Sequence, residues 1–263
     1  MLKIINVIVI IITVVSCGKN LDQSRSNNLL TANIIDGVLI SKANTFSKHT
    51  VGLYNIKHDS VCTGVIIEEN LILTAAHCVS ETPAEKVEII FGNKILDSEI
   101  TKFKALKLIV HENYNRALII NDVALVRLPK AVPAGFSPID IESSRQLNLT
   151  KGDKVTAIGY GVTGTGFFSI GSRGTLHMGK ISIENYGVQN ALVAIDQSIG
   201  SAICFGDSGG PTFTEIEGRV VLVGISSFVN SVKLKKKYIC SDKAFLSNPN
   251  FFYSWIQESK LKI

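Results

Sequence analysis

The chain has 263 residues, enough for one large β domain or two small ones, so size alone demands no stabilising metal or disulfide. Hydrophobic residues make up 46% and charged residues 19%, which excludes an intrinsically disordered chain, because such chains bury too little apolar surface to offset ordering entropy. The formal net charge of +5 is too weak at this length to argue for a nucleic-acid partner.

Residues 1–16 read as a signal peptide. Met1 to Lys3 carry one positive charge, Ile4 to Val15 are apolar except for Asn6 and Thr13, and Ser16 is small. This core falls short of the roughly 20 apolar residues that span a bilayer. The following Val14-Val15-Ser16-Cys17-Gly18 resembles the lipobox of bacterial lipoproteins, with Val where Leu is commoner. It implies a lipid on Cys17, the only membrane association expected, and an exported protein that is either anchored or secreted. Residues 17–33 are polar, rich in Asn and Ser and without periodicity, as in a flexible tether or propeptide.

From Ile34 onward, short apolar runs alternate with turn residues. They cover residues 51–56, 61–67, 71–73, 87–91, 106–110, 123–128, 155–160, 181–183, 191–195 and 220–225. Strands at this spacing predict an all-β sandwich or barrel, and the lack of strand–helix alternation excludes a doubly wound sheet. The clearest helix is C-terminal: Asn248 can cap it, Pro249 suits its first position, and Phe252, Trp255 and Ile256 share a face. Trp255 there is expected to pack rather than to act.

Three segments carry chemistry: Leu73-Thr74-Ala75-Ala76-His77-Cys78, Asn121-Asp122-Val123-Ala124-Leu125 and Gly206-Asp207-Ser208-Gly209-Gly210-Pro211. A serine hydroxyl is a poor nucleophile at neutral pH. It needs an imidazole to take its proton and a buried carboxylate to hold that imidazole in the right tautomer. Each residue alone is weak evidence, but the three contexts together are specific. They resemble the signatures of the chymotrypsin-like (trypsin) family, in that family's order of His, Asp and Ser. Ile34-Ile35-Asp36-Gly37 is similar to the family's mature N-terminus, Gly159-Tyr160-Gly161 to its Gly-Trp-Gly, and Gly224-Ile225-Ser226-Ser227-Phe228 to the strand lining its cleft. Tyr253-Ser254-Trp255-Ile256 is similar to its closing helix.

The resemblance covers most of residues 34–263. It implies two six-stranded antiparallel β-barrels packed face to face with a C-terminal α-helix, dividing at roughly 34–138 and 139–263. His77, Asp122 and Ser208 would form a catalytic triad, with the amides of Gly206 and Ser208 as oxyanion hole and Ser227 beside Asp122. Cys62 would pair with Cys78 and Cys204 with Cys240, which leaves Cys17 of the five cysteines for lipid. Ala202 would sit at the base of the specificity pocket, narrowed by Val229 and Ala244. An uncharged, partly filled pocket implies small or medium apolar residues before the cut, not Arg or Lys. Lys233 and Lys235-Lys236-Lys237 would lie in a loop at the pocket rim. An Ile34 ammonium freed by cleavage after Asn33 would bury itself against Asp207, making the longer chain a zymogen. The partners implied are a protein or peptide substrate and an activating protease, with a monomeric enzyme and neither metal nor other cofactor. A non-catalytic binding protein on the same fold is the alternative, although such relatives usually lose a triad residue and this chain keeps all three.

Overall fold

The computed structural model describes residues 34–40, 44–95, 97–98, 100–141, 145, 147–162, 173–188, 191–230, 240 and 242–263. The expected signal peptide, the tether with Cys17, and the lysine-rich loop lie outside them.

The described chain is all-β, with two seven-stranded antiparallel sheets. The first contains β2 (Thr50–Asn55), β3 (Ser60–Glu68), β4 (Leu71–Thr74), β5 (Val87–Phe91), β6 (Thr101–Lys104), β7 (Lys107–Val110) and β8 (Ala124–Arg127), in the order β6-β5-β2-β3-β4-β8-β7. Its two edge strands are consecutive in the chain. Between them the Ala105 amide donates to Val87 on β5 and the Leu106 amide to Arg127 on β8, so the sheet curls until one bent stretch faces both sides. The second sheet contains β1 (Val38–Leu39), β9 (Lys154–Gly159), β10 (His177–Val188), β11 (Leu192–Asp196), β12 (Pro211–Ile216), β13 (Arg219–Asn230) and β14 (Lys243–Ser247). Here β9 pairs with both β12 and β10, which closes six strands into a barrel and leaves β1 attached outside on β10.

Side chains alternate across a strand, yet several of these strands are apolar on both faces. Ile66, Ile72 and Val126 fill the interior of the first sheet. Their neighbours Val65, Leu73 and Leu125 face a second cluster, shared with Ile158, Tyr160, Phe213 and Ile225 of the other sheet. On β9 the split repeats, with Val155 and Ala157 turned into the second barrel's own core. This double burial is why the sequence shows continuous apolar runs, and the shared cluster is what seats one barrel against the other. Each fully buried aliphatic side chain contributes about 1.5–3 kcal/mol.

Strands β1, β6, β12 and β14 escaped the sequence reading. Strand β6 is Thr-Lys-Phe-Lys with only Phe103 half-buried, so it has no apolar run to detect. The C-terminal helix α2 begins at Tyr253, four residues later than Pro249 suggests. The Asn248 side chain instead accepts the Asn250 amide, capping a turn that precedes the helix. Phe252 and Ile256 are buried, while Trp255 stacks on His111 and donates to Glu112 of the first half. The chain ends therefore cross over: residues 38–39 join the second sheet, and α2 returns to the first half.

Candidate active site

Strand β4 ends at Thr74, and after an extended Ala75 the chain makes the one-turn helix α1 (Ala76–Val79) that carries His77. Asp122 precedes β8, after Asn121 with a positive φ of 55°. Its carboxylate is almost fully buried and accepts three hydrogen bonds. Oδ1 accepts the His77 backbone amide at 2.9 Å, and Oδ2 accepts the His77 Nδ1 hydrogen at 2.8 Å and the Ser227 hydroxyl at 2.5 Å. The Asp122 carbonyl accepts the Ser247 hydroxyl at 2.9 Å. Burial opposes the charge, but the His77 and Ser227 hydrogen bonds and the attraction of His77 outweigh it and hold the carboxyl below the usual carboxylate range. The bond from Nδ1 fixes the tautomer that leaves Nε2 free to accept a proton.

Ser208 stands on a loop shaped by its backbone. The Phe205 carbonyl accepts the Val162 amide at 2.8 Å, and the Asp207 carbonyl accepts the Gly210 amide at 2.8 Å. In a planar peptide the N–H opposes its C=O, so the Gly206 and Ser208 amides face away from those anchors. Among the described residues neither amide has an acceptor. Two donors left free beside a serine are what an oxyanion needs. Gly206 has φ 97° and Gly209 has φ 78°. A Cβ on Gly206 would press on the Gly161 backbone, and one on Gly209 would collide with the Thr63 carbonyl.

His77 and Ser208 line one cleft of about 780 Å³, walled further by Ile203, Phe205, Phe228 and Val229. Phe228, standing where the family usually has Trp, stacks on Phe245 at 4.7 Å and stiffens the wall. Of the three residues expected to form the pocket, only Val229 lines this cleft. Ala202 is buried in a two-bond bridge with Ile35, and Ala244 is packed into the second barrel's core, paired with Ile195 and Val229. Ile203 supplies the apolar wall instead. Its position between Ala202 and Cys204 was the available signal.

Both disulfides join as expected, Cys62 to Cys78 and Cys204 to Cys240. Cys62, Cys78 and His77 form the one grouping of potential metal-ligand atoms among the described residues, but both sulfurs are oxidised and the imidazole is held by Asp122. Ile34 is fully buried in the second barrel's core, and no hydrogen bond or ion pair joins it to Asp207 among the described contacts. The Asp207 carboxyl accepts the Gly161 amide at 2.8 Å and the Cys204 amide at 2.9 Å. Burial pushes it up to about 7 despite those two bonds.

The model of the trypsin family matches residues 35–245. The chain belongs to the trypsin family. It is 31% identical over 209 residues to brachyurin of Leptuca pugilator, which covers 74% of this chain and 86% of that protein. Chymotrypsin-2 of Vespa crabro is 26% identical, over 75% of this chain and 88% of its own. Coagulation factor IX of Cavia porcellus is 33% identical, over 71% and 70%. The chain is thus a serine endopeptidase. These relatives are arthropod and mammalian and lend nothing to the bacterial origin suggested by residues 14–18.

Proposed function

We propose that His77, Asp122 and Ser208 form the catalytic triad of this endopeptidase. The observation that carries the reading is the grip of Asp122 on both the backbone and the ring of His77, at the wall of a cleft that also presents Ser208. Ser208 attacks the scissile carbonyl while His77 Nε2 takes its proton, and the Gly206 and Ser208 amides receive the developing oxyanion. His77 then protonates the leaving amine. Asp122 stays ionised and stabilises the imidazolium. Water, deprotonated by His77, releases the acyl group from Ser208.

The residue before the cut is small or medium and apolar. The support is a cleft walled by the apolar Ile203, Phe228 and Val229. A peptide library that returned cleavage after Arg or Lys would remove this specificity.

The longer chain is a zymogen, activated by another protease at Asn33–Ile34. The support is Asp207, a buried carboxyl with two amide donors and no cation among the described residues, which an Ile34 ammonium would satisfy. Cys17 carries a lipid, so activation releases a soluble monomer from the membrane of an exported protein.

One experiment tests the core of this reading. Protein beginning at Ile34 and protein beginning at Gly18 are exposed to a fluorophosphonate probe, with Ser208→Ala as control. Labelling of the short form alone is expected. Labelling of both forms discards zymogen control, and labelling of neither well-folded form discards the triad.

A further inference from the structure

One residue outside the three signature segments joins both halves of the machinery. Thr63 follows Cys62 on β3 in the first sheet and is completely buried. Its amide donates to the Ser208 carbonyl at 2.8 Å, and its own carbonyl accepts the Thr74 hydroxyl at 2.8 Å, three residues before His77. Its hydroxyl is used in both senses. Oγ1 donates to the Gly206 carbonyl at 2.9 Å and accepts the Tyr160 amide at 3.1 Å.

Gly206 has no side chain to hold its φ of 97°, so the peptides on either side must be fixed from outside. The Phe205 carbonyl is fixed by Val162 and the Gly206 carbonyl by Thr63. Residues 160–162 form the cradle for this turn: the Tyr160 amide bonds Thr63, the Gly161 amide bonds Asp207, and the Val162 amide bonds Phe205. The Thr63 hydroxyl bonds the cradle and the turn at once and joins both to the first barrel.

We propose that Thr63 is a positioning residue of the oxyanion hole: its hydroxyl holds the Gly206–Asp207 peptide and the Tyr160 amide, and so keeps the turn in which the Gly206 amide faces the cleft. The proposal rests on Gly206 and Ser208 being the oxyanion donors. Removing the hydroxyl takes a partner from the buried Tyr160 amide and from the part-buried Gly206 carbonyl, and the turn can then rotate to recover partners. Such a change weakens binding of the transition state and spares binding of the substrate.

The test compares Thr63→Val, close in shape but without the hydroxyl, with Thr63→Ser, which keeps it. Thr63→Ala serves if Thr63→Val does not fold. Thr63→Val is expected to lower kcat about tenfold with KM within twofold, and Thr63→Ser to retain kcat within about twofold. A peptidyl trifluoromethyl ketone, whose hemiketal oxygen occupies the oxyanion hole, should bind the Val variant about tenfold more weakly, while the matching peptidyl alcohol binds both equally. A Val or Ala variant that loses thermal stability yet keeps kcat and ketone affinity overturns the positioning role and leaves Thr63 structural. An unsubstituted enzyme that neither cleaves peptides nor captures the ketone fails at the triad itself, which separates the two outcomes.

Discussion

Asp122 and Asp207 are both buried, and their pKa values move in opposite directions. Asp122 receives an imidazole N–H, a hydroxyl and an amide, and its pKa falls. Asp207 receives two amides only, and burial raises its pKa to about 7. The difference teaches that burial alone does not set the charge; the partners do. Asp122 has a charged-form partner within the described chain, while Asp207 has two amide donors and no cation among the described residues.

The largest expected effect sharpens the Asp122 side. Asp122→Asn keeps the shape but donates where a carboxylate accepts, which favours the wrong His77 tautomer, so kcat should drop on the order of 10⁴-fold with the fold intact. Steady-state kinetics beside a circular-dichroism melt check this. A loss under tenfold would mean that His77 does not depend on Asp122.

On the Asp207 side the effect is one of stability. Asp207 binds its proton more tightly folded than unfolded, where its ordinary value is 3.8. Its contribution is complete below about pH 4 and is lost as pH rises towards 7, on the order of 4 kcal/mol in all. Asp122, with a depressed pKa, behaves oppositely: its contribution is present above the ordinary carboxylate range and fades as pH falls through its folded value. Urea unfolding of the Gly18-start form carrying Ser208→Ala, with and without Asp207→Asn, isolates the first group across pH 4–8. Starting the chain at Ile34 should flatten the Asp207-dependent decline, and an unchanged decline would break the proposed pairing.

Smaller effects probe the cleft. Val229→Gly removes three carbons from the wall and should raise kcat/KM for large apolar residues before the cut by roughly 10- to 100-fold relative to alanine. Ser227→Ala removes one of three donors to Asp122 and should lower kcat about tenfold. Competition between paired peptide substrates reads the first, and burst-titrated kinetics the second.

Much of the site was legible because its chemistry is carried by side chains in distinctive contexts. The contexts of His77, Asp122 and Ser208 could be picked out from the chain, and the pairings Cys62–Cys78 and Cys204–Cys240 followed from the resemblance they carry. The pocket was less legible, since Ala202 is bridged to Ile35 and Ala244 is packed into the second barrel's core, while Ile203 lines the cleft. Thr63 left no signal, because threonine on a strand is ordinary and its role lies in four bonds to residues between 11 and 145 positions away.

By itself the sequence determined the family, the order of its three signature segments and the all-β class, because residue identity and local apolar runs are one-dimensional properties. Only the tertiary structure decided which amides are left free beside Ser208, which buried carboxyl is satisfied, and how the sheets close. Those depend on carbonyls and donors that meet across the two barrels, and no local pattern encodes such meetings.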